Sequence, residues 1–197
     1  MDFRSVSRMR QSFIVIDDFL DKPDIVRNSI ISGGMEQFCH TGKFSGKRTY
    51  TVDSNYQGMI VSKLEKILPF KFEMDDKIEK DPYTGNMTES CCYAFQLALE
   101  NDVTWVHNDT TDWSGVLYLT PNAPMNSGTI LFKKDSHPNP DKVDEYNSLL
   151  TDTVGNLYNR MILFNGKNLP HRSNLPGFGD CLENGRLSQH FFFDEVK

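Results

Sequence analysis

Two histidines and one aspartate of this sequence could together bind a metal ion. His107 and Asp109 stand two residues apart in the segment W-V-H-N-D, and His171 follows much later in the chain. On an extended strand, side chains two residues apart project to the same side, so His107 and Asp109 could reach one ion. We expect His171 to return from the opposite strand. Without it, a surface pair at the end of a strand explains His107 and Asp109 at least as well.

The metal that such a site would take is not fixed by the three side chains. Two histidines and one carboxylate on one side of an iron leave three positions open, which is the arrangement of non-haem Fe(II) oxygenases. A catalytic zinc site with the same ligands needs only one open position. The ligand set alone therefore leaves iron and zinc as alternatives.

Arg186 favours iron together with a second, anionic ligand. Arg186 and Ser188 belong to the segment G-R-L-S-Q-H-F-F-F and should share one face of the last strand. A fixed guanidinium beside a hydroxyl suits a carboxylate, here the distal carboxylate of 2-oxoglutarate. Tyr118, in V-L-Y-L-T, could be a third donor to that group. The alternatives are an ordinary surface arginine and a strand serine without a special role.

Two helices and at least six strands should position these residues. One helix is predicted from Pro23 to the glycines at 33 and 34, and a second between Asp53 or Ser54 and Pro69. Short runs rich in Val, Leu, Phe, Tyr and Thr predict strands at 90–100, 103–108, 115–120, 129–133, 161–164 and 186–193. The predicted fold is mainly β (α+β), a jelly roll or double-stranded β-helix of antiparallel strands with N-terminal supporting helices.

The length of 197 residues, or 22.6 kDa, predicts a single domain covering 1–197. Within it, residues 1–88 should supply an N-terminal strand and the supporting helices, and residues 89–197 the jelly-roll core. The polar stretch 134–159 should be a surface insertion with a short helix around 143–150. Such long insertions often form lids or binding loops, and we expect 39–51, 75–88 and 134–159 to wall the substrate site.

Composition excludes several classes of function. A net charge of -6 and a pI near 5.3 argue against nucleic acid as a partner. No apolar run approaches the length of a membrane span, and the first residues lack the apolar core of a signal peptide, which predicts no membrane association and a cytoplasmic protein. The four cysteines lack metal-binding spacing and should be reduced thiols, with a Cys181–His171 nucleophile as a minor alternative. The oligomeric state stays open.

The motifs in their order resemble one enzyme family. H-N-D at 107–109, G-V-L-Y-L-T, N-S-G-T-I-L-F, P-H-R around His171 and G-R-L-S at Arg186 resemble the 2-oxoglutarate and Fe(II)-dependent oxygenases, in their prolyl 4-hydroxylase-like branch. The resemblance spans about Tyr93 to Phe193, and the opening I-V-I-D-D-F-L is similar to that branch's first strand. The sequence departs from the family in having Y-L-T where Y-L-N is common and N-S-G-T where a double glycine is common.

The resemblance implies the roles of the candidate residues. His107, Asp109 and His171 would bind Fe(II), and Arg186, assisted by Tyr118, would bind 2-oxoglutarate. With O2, the protein would act as a dioxygenase that hydroxylates a peptidyl residue such as proline, or a small molecule, and releases succinate and CO2. The alternative is a non-catalytic, cupin-like jelly-roll module that binds a metal or another ligand.

Overall fold

The structure, a computed structural model, describes residues 12–39, 45–49, 53–75, 79–80, 87–88, 91–139 and 141–196. Its helices are α1 (Pro23–Ser32), α2 (Ser54–Ile67) and α3 (Val143–Leu149), with short 3-10 turns at Met35–Gln37 and Met125–Ser127. Its strands are β1 (Phe13–Ile16), β2 (Lys47–Arg48), β3 (Phe72–Met74), β4 (Glu79–Lys80), β5 (Met87–Thr88), β6 (Phe95–Ala98), β7 (Trp113–Tyr118), β8 (Thr129–Phe132), β9 (Leu150–Val154), β10 (Met161–Phe164), β11 (His171–Ser173) and β12 (Arg186–Glu195). None of these helices is long and apolar enough to pass through a lipid bilayer.

Most of the strands form two antiparallel sheets that face each other. The larger sheet has the order β1-β10-β7-β12-β6-β2, with β3 paired to the end of β12, and the smaller sheet has the order β11-β8-β9. Val116 and Tyr118 of β7 share one buried cluster with Leu131 of β8 and Val154 of β9, so the inner faces of the two sheets are in contact. This architecture confirms the predicted mainly β (α+β) double-stranded β-helix.

The two N-terminal helices cover the outer face of the larger sheet. Asp53 caps α2, and its Oδ1 accepts hydrogen bonds from the backbone N–H groups of residues 55 and 56. Ile60 and Leu64, four residues apart, are fully buried against the sheet, and each contributes about 1.5–3 kcal/mol by leaving water. The Tyr56 hydroxyl donates to Gln189 Oε1 on β12 at 2.6 Å. Both predicted helices are therefore confirmed.

Strand alternation divides β12 between two environments. Leu187 and Phe191 lie in the core beneath the helices. Arg186, Ser188 and His190 project the other way, into the space between the sheets, because successive side chains of a strand point to opposite faces. The larger sheet thus presents an apolar outer face and a partly polar inner face.

The predicted strand at 103–108 is wrong. After β6 the chain turns, with Asp102 N donating to Leu99 O and Leu99 N donating to Asp102 Oδ2. Among the described residues, the only backbone pairing of this segment is an isolated bridge between His107 and His171. Residues with strand propensity form a ladder only where another backbone lies alongside, and here one pair is available.

The predicted strand at 90–100 is shorter in the structure, where β6 covers Phe95–Ala98. Tyr93 has a φ of 66°, in the left-handed region, which ends extended structure before Phe95. Residues 89 and 90 lie outside the described residues. The other predicted strands correspond to β7, β8, β10 and β12, with shifted ends.

The stretch 134–159 contains more sheet than a surface insertion would. The short helix predicted around 143–150 is present as α3, but Leu150–Val154 then forms β9, which pairs with β8 at the edge of the smaller sheet. Val154, Asn156 and Asn159 are buried. The sequence L-T-D-T-V shows no strand pattern, because in this edge strand only the last residue, Val154, is buried in the core.

The four cysteines, all among the described residues, form no disulfide with one another. Cys181 is exposed, and its backbone N–H donates to Asn184 Oδ1. The ring nitrogens of His171 contact other groups: Nδ1 lies next to Leu169 O, and Nε2 lies next to Asp109 Oδ2. A nucleophilic pair between Cys181 and His171 is therefore not supported.

Candidate metal centre

The three predicted metal ligands come together at one end of the space between the sheets. His171 begins β11 in the smaller sheet, and its backbone forms the isolated bridge to His107. The next ligand along, Asp109, donates its backbone N–H to Gly166 O at 3.0 Å, in the turn that follows β10. Two backbone contacts from different parts of the chain thus fix the H-x-D segment.

The ligand atoms converge. His171 Nε2 lies 3.2 Å from Asp109 Oδ2, and His107 Nε2 lies 3.7 Å from Asp109 Oδ1. One ligand atom from each residue can be chosen so that all three lie within 4.8 Å of one another. The His171 side chain is 8% exposed, whereas that of His107 is 44% exposed, so the site is closed on the His171 side and open on the His107 side.

The second nitrogen of each imidazole is held by a backbone carbonyl. His107 Nδ1 lies 3.1 Å from Trp105 O, and His171 Nδ1 lies 2.9 Å from Leu169 O. A carbonyl oxygen only accepts, so each Nδ1 carries the hydrogen and each Nε2 keeps a lone pair for a cation. Two imidazole lone pairs and a carboxylate facing one point fit a divalent transition metal.

Asp109 is held in its ionised form. Its burial alone would raise the pKa, but hydrogen bonding and charge from His171 and a hydrogen bond from the Ser114 hydroxyl bring the pKa well below its usual value. Ser114 lies on β7, five residues after Asp109 in the sequence. Gly166 makes this contact possible, because a Cβ there would lie 2.1 Å from Ser114 Oγ and 2.9 Å from Asp109 Oδ2.

His107 is set up to remain neutral. Desolvation by burial, and then the charge of His171, lower the pKa of the imidazole. A neutral imidazole is the form that binds a metal. The electrostatic surroundings of His107 and Asp109 thus both favour the metal-binding protonation state at neutral pH.

Arg186 and Tyr118 lie together at the other end of the space between the sheets. Arg186 is 2% exposed, its Nε donates to Ser127 O at 3.1 Å, and its Cζ lies 5.8 Å from the Tyr118 ring centroid. The Tyr118 hydroxyl lies 2.7 Å from Thr129 Oγ1. Among the described residues, no acidic side chain forms an ion pair with Arg186, and burial lowers the pKa of its guanidinium. A buried cation without an acidic partner is a binding site for an anion.

Strand register gives the separation of the two ends. His171 pairs with Leu131, and Ser173 pairs with Thr129, the residue that contacts Tyr118. Two residues along a strand span about 6.6 Å. The backbone positions of β8 that pair with His171 and that contact Tyr118 are thus about two residues apart.

Ser188 shares the inner face with Arg186, as predicted, but its hydroxyl has another neighbour. Ser188 Oγ lies 3.1 Å from His190 Nε2. Burial, and then the charges of Arg48 and Arg186, lower the pKa of His190 well below its usual value. Burial and these charges therefore keep the His190 imidazole neutral at neutral pH.

Several residues of the site were missed at the sequence level. Ser114 carries no local signal, since a serine in a strand needs no special explanation. Arg48 lies on β2, which has only two residues and shows no strand pattern. Trp105 is 43% exposed and is therefore not a core residue. Its ring centroid is 6.4 Å from that of His107, at the open side of the metal ligands.

Comparison with known proteins gives likeness in structure only. No family model matches the sequence, and no curated protein matches it. A prolyl-4-hydroxylase from Pseudomonas putida is 14% identical, with a TM-score of 0.54 and 94% of each chain covered. A prolyl hydroxylase from Trichoplax adhaerens, in complex with a hypoxia inducible factor peptide fragment, is 15% identical, with a TM-score of 0.55, over 92% of this chain and 83% of that one.

A third solved structure holds a metal and an organic acid. HygX from Streptomyces hygroscopicus, with nickel, 2-oxoglutarate and hygromycin B bound, is 11% identical, with a TM-score of 0.59, over 92% of this chain and 82% of that one. At these identities the likeness establishes a shared fold. This chain has the double-stranded β-helix of two prolyl hydroxylases and of a protein solved with nickel and 2-oxoglutarate bound.

Proposed function

We propose that this protein is an Fe(II)- and 2-oxoglutarate-dependent dioxygenase that hydroxylates its substrate and releases succinate and CO2. The fold it shares with two prolyl hydroxylases and with HygX supports the proposal. So does the convergence of two imidazoles and one carboxylate at the end of that fold. Neither observation alone selects iron and 2-oxoglutarate.

The observation that carries the proposal is the placement of Arg186. Its guanidinium is buried, has no acidic partner among the described residues, and faces the same space between the two sheets as the metal ligands. A dicarboxylate that reaches from the metal to Arg186 would compensate the buried charge at one end and bind the metal at the other. 2-Oxoglutarate has this chemistry.

The site residues have two roles, metal binding and binding of the cosubstrate. His107, Asp109 and His171 would hold the iron, and two imidazoles and one carboxylate would leave it coordination positions for other ligands. Arg186 binds the distal carboxylate of 2-oxoglutarate, with Tyr118 beside it, and so orients the keto acid. Bound iron supplies the activation of O2 that is coupled to oxidative decarboxylation of 2-oxoglutarate. The apolar inner-face residues, Val116 and Ile162 among them, keep bulk water away from the reacting groups.

The substrate belongs to one of two classes. A peptidyl residue such as proline is suggested by the peptide fragment bound to the Trichoplax adhaerens protein, and a small molecule by the hygromycin B bound to HygX. The predicted walls at 39–51 and 75–88 fall largely outside the described residues. The open side of the site, at His107 and Trp105, is where either substrate would enter.

A cupin-like module that binds a metal without oxidation is the alternative function. It accounts for the three metal ligands but gives no role to a buried Arg186. Metal analysis separates the two functions: tight zinc that Fe(II) cannot displace would favour the binding module.

Succinate formation tests the proposed function. Purified protein is supplied with Fe(II), 2-oxoglutarate and air, with and without a panel of peptides and small molecules. We expect succinate that depends on iron and is lost in His171→Ala. Absence of succinate with every compound, together with no binding of 2-oxoglutarate under anaerobic conditions, would reject it.

A further inference from the structure

The 3-10 turn before β8 carries the carbonyl group to which Arg186 is bonded. Arg186 Nε donates to Ser127 O at 3.1 Å, and among the described residues this is the only hydrogen bond of the guanidinium. Ser127 is fully buried, at 0% exposure. A bond through Nε constrains the plane of the guanidinium and leaves its terminal nitrogens as donors to a ligand. The orientation of Arg186 therefore depends on where this turn holds Ser127.

Asn156, two residues after the end of β9, holds Ser127 through its side chain. Asn156 Nδ2 lies 3.0 Å from Ser127 Oγ, and Ser127 Oγ donates to Pro124 O at 2.6 Å. A hydroxyl has one hydrogen, and a carbonyl oxygen can only accept. Because the Ser127 hydrogen is used on Pro124, its oxygen accepts from Asn156, and the order of donation is fixed from Asn156 through Ser127 to Pro124.

The backbone of Asn156 contacts the same turn. Asn156 N donates to Met125 O at 3.0 Å. A Cβ at Gly128 would overlap Val154 O and lie 2.8 Å from Asn156 N, so the absence of a side chain at 128 allows the turn to pack directly against the end of β9. Asn156 thus bonds to this turn through both its backbone and its side chain.

A comparison with Asn159 indicates what the Asn156 side chain does. Both residues are buried, at 2% and 4% exposure. Asn159 uses both ends of its amide on the backbone of Leu20, as a structural asparagine does. Asn156 Oδ1 is buried and accepts no hydrogen bond from a described residue. Since an unpaired buried acceptor costs stability, the donation to Ser127 is the contact that accounts for an asparagine at 156.

We propose that Asn156 is a positioning residue that acts through Ser127 to orient Arg186 toward the distal carboxylate of 2-oxoglutarate. The stretch 134–159 then contributes to the choice of cosubstrate, because it helps the site to distinguish a keto acid with a distal carboxylate from one without. This inference rests on the proposed function, since it takes Arg186 to bind 2-oxoglutarate.

Hydrogen exchange of the Arg186 Nε–H group tests the positioning step without any cosubstrate. Proton–nitrogen NMR of the metal-free protein follows the exchange, and the Arg186 signal is identified by its loss in Arg186→Gln. We expect about three- to tenfold faster exchange in Asn156→Ala, the effect of weakening one buried hydrogen bond. Asn174→Ala is the matched control, because Asn174 Nδ2 donates to Asn126 O of the same turn rather than to Ser127, and it should exchange like the wild type.

Affinities for 2-oxoglutarate and oxalate test the consequence for the cosubstrate. Oxalate chelates a metal through two oxygens but has no distal carboxylate to reach Arg186. In titrations of the Mn(II)-loaded protein, Asn156→Ala should bind 2-oxoglutarate about three- to tenfold more weakly than the wild type and oxalate equally well. General damage to the metal centre would instead weaken the binding of both.

The two measurements together decide the inference. Unchanged exchange in Asn156→Ala overturns it, and so does faster exchange with wild-type affinity for 2-oxoglutarate. An equal loss of oxalate affinity, or the same changes in Asn174→Ala, also overturns it, since the metal centre or the whole turn would then be responsible.

Two further cases have defined outcomes. If Asn156→Ala does not fold, Ser127→Ala removes the same side-chain hydrogen bond and should give the same changes; equality with the wild type would overturn the inference. Wild-type protein that binds oxalate but not 2-oxoglutarate rejects the proposed function. Faster Arg186 exchange in Asn156→Ala would then still support Asn156 as the residue that orients Arg186, and unchanged exchange would reject both.

Discussion

His107 and His171 are joined through their backbones as well as through the ion they could share. His107 N donates to His171 O at 3.0 Å, and His171 N donates to His107 O at 2.9 Å. Their ring centroids lie 4.4 Å apart. This reciprocal bridge holds two ligands from distant parts of the chain at a fixed separation before any metal binds, which lowers the cost of forming the site.

Ser114→Ala should weaken metal binding without unfolding the protein. The Ser114 hydroxyl donates to Asp109 Oδ2, and loss of such a supporting contact commonly lowers metal affinity about 10- to 100-fold. Calorimetric titration with Mn(II) measures the change. Ser148→Ala, which alters an exposed hydroxyl on α3, is the control and should bind Mn(II) like the wild type. Equal affinities for the two variants would show that Ser114 does not support Asp109.

Gly166→Ala should also reduce metal affinity. A Cβ at this position would lie 2.1 Å from Ser114 Oγ, so either the turn or the Ser114–Asp109 contact has to move. The matched control is Gly58→Ala, in the exposed part of α2, where a Cβ meets nothing within 4 Å. That change should raise the free energy of unfolding by about 0.5–1 kcal/mol, as expected for an alanine inside a helix. Wild-type Mn(II) affinity in Gly166→Ala would contradict the close packing assigned to this turn.

Arg186→Gln should weaken 2-oxoglutarate binding by about 10- to 100-fold, from the loss of charge-assisted hydrogen bonds to a carboxylate. Titration of 2-oxoglutarate into the Mn(II)-loaded protein gives the dissociation constant, and Arg160→Gln serves as the control of equal charge. The affinity for Mn(II) alone should not change. A variant that binds 2-oxoglutarate as the wild type does would show that Arg186 has another role.

The features of the site that could be predicted are those that depend on local spacing. The H-x-D pair and the shared face of Arg186 and Ser188 both follow from the two-residue repeat of extended chain. Helix α2 was predictable from its Asp53 cap and the four-residue spacing of Ile60 and Leu64. In each case the signal lies within a few consecutive residues.

The features that could not be predicted depend on pairing between distant segments. Arg48 reaches the inner face only because β2 pairs with β6, and a strand of two residues has no pattern of its own. Conversely, Val103 and Trp105 have strand propensity, but no neighbouring backbone runs beside them among the described residues. Register and availability of a partner are properties of the whole fold.

The metal-free protein should become less stable as the pH decreases, and His190 should account for part of this loss. Burial, and then the charges of Arg48, Arg186 and His107, lower the pKa of folded His190 well below the ordinary value of 6.5, and the charge of Asp109 opposes this shift. The unfolded chain therefore takes up a proton as the pH falls below about 6.5, while folded His190 does not, so this contribution to stability is present above that pH and is lost below it.

His190→Gln isolates this contribution. The free energy of unfolding is measured with urea at several values between about pH 7.5 and about pH 5. It should decrease less steeply with decreasing pH for His190→Gln than for the wild type. The difference in slope is at most about 1.4 kcal/mol per pH unit, the limit for one proton. Parallel curves for the two proteins would show that His190 is not kept neutral by the fold.

The most direct test of the central claim is the visible absorption of the Fe(II)-loaded protein during anaerobic titration with 2-oxoglutarate. Chelation of iron by the keto acid, with His107, Asp109 and His171 as the protein ligands, should give a charge-transfer band that saturates with one 2-oxoglutarate per protein. The band should be absent in His171→Ala and should need a higher 2-oxoglutarate concentration in Arg186→Gln. Iron-loaded wild-type protein that shows no band, or a band of equal intensity in His171→Ala, would contradict the assignment of this site.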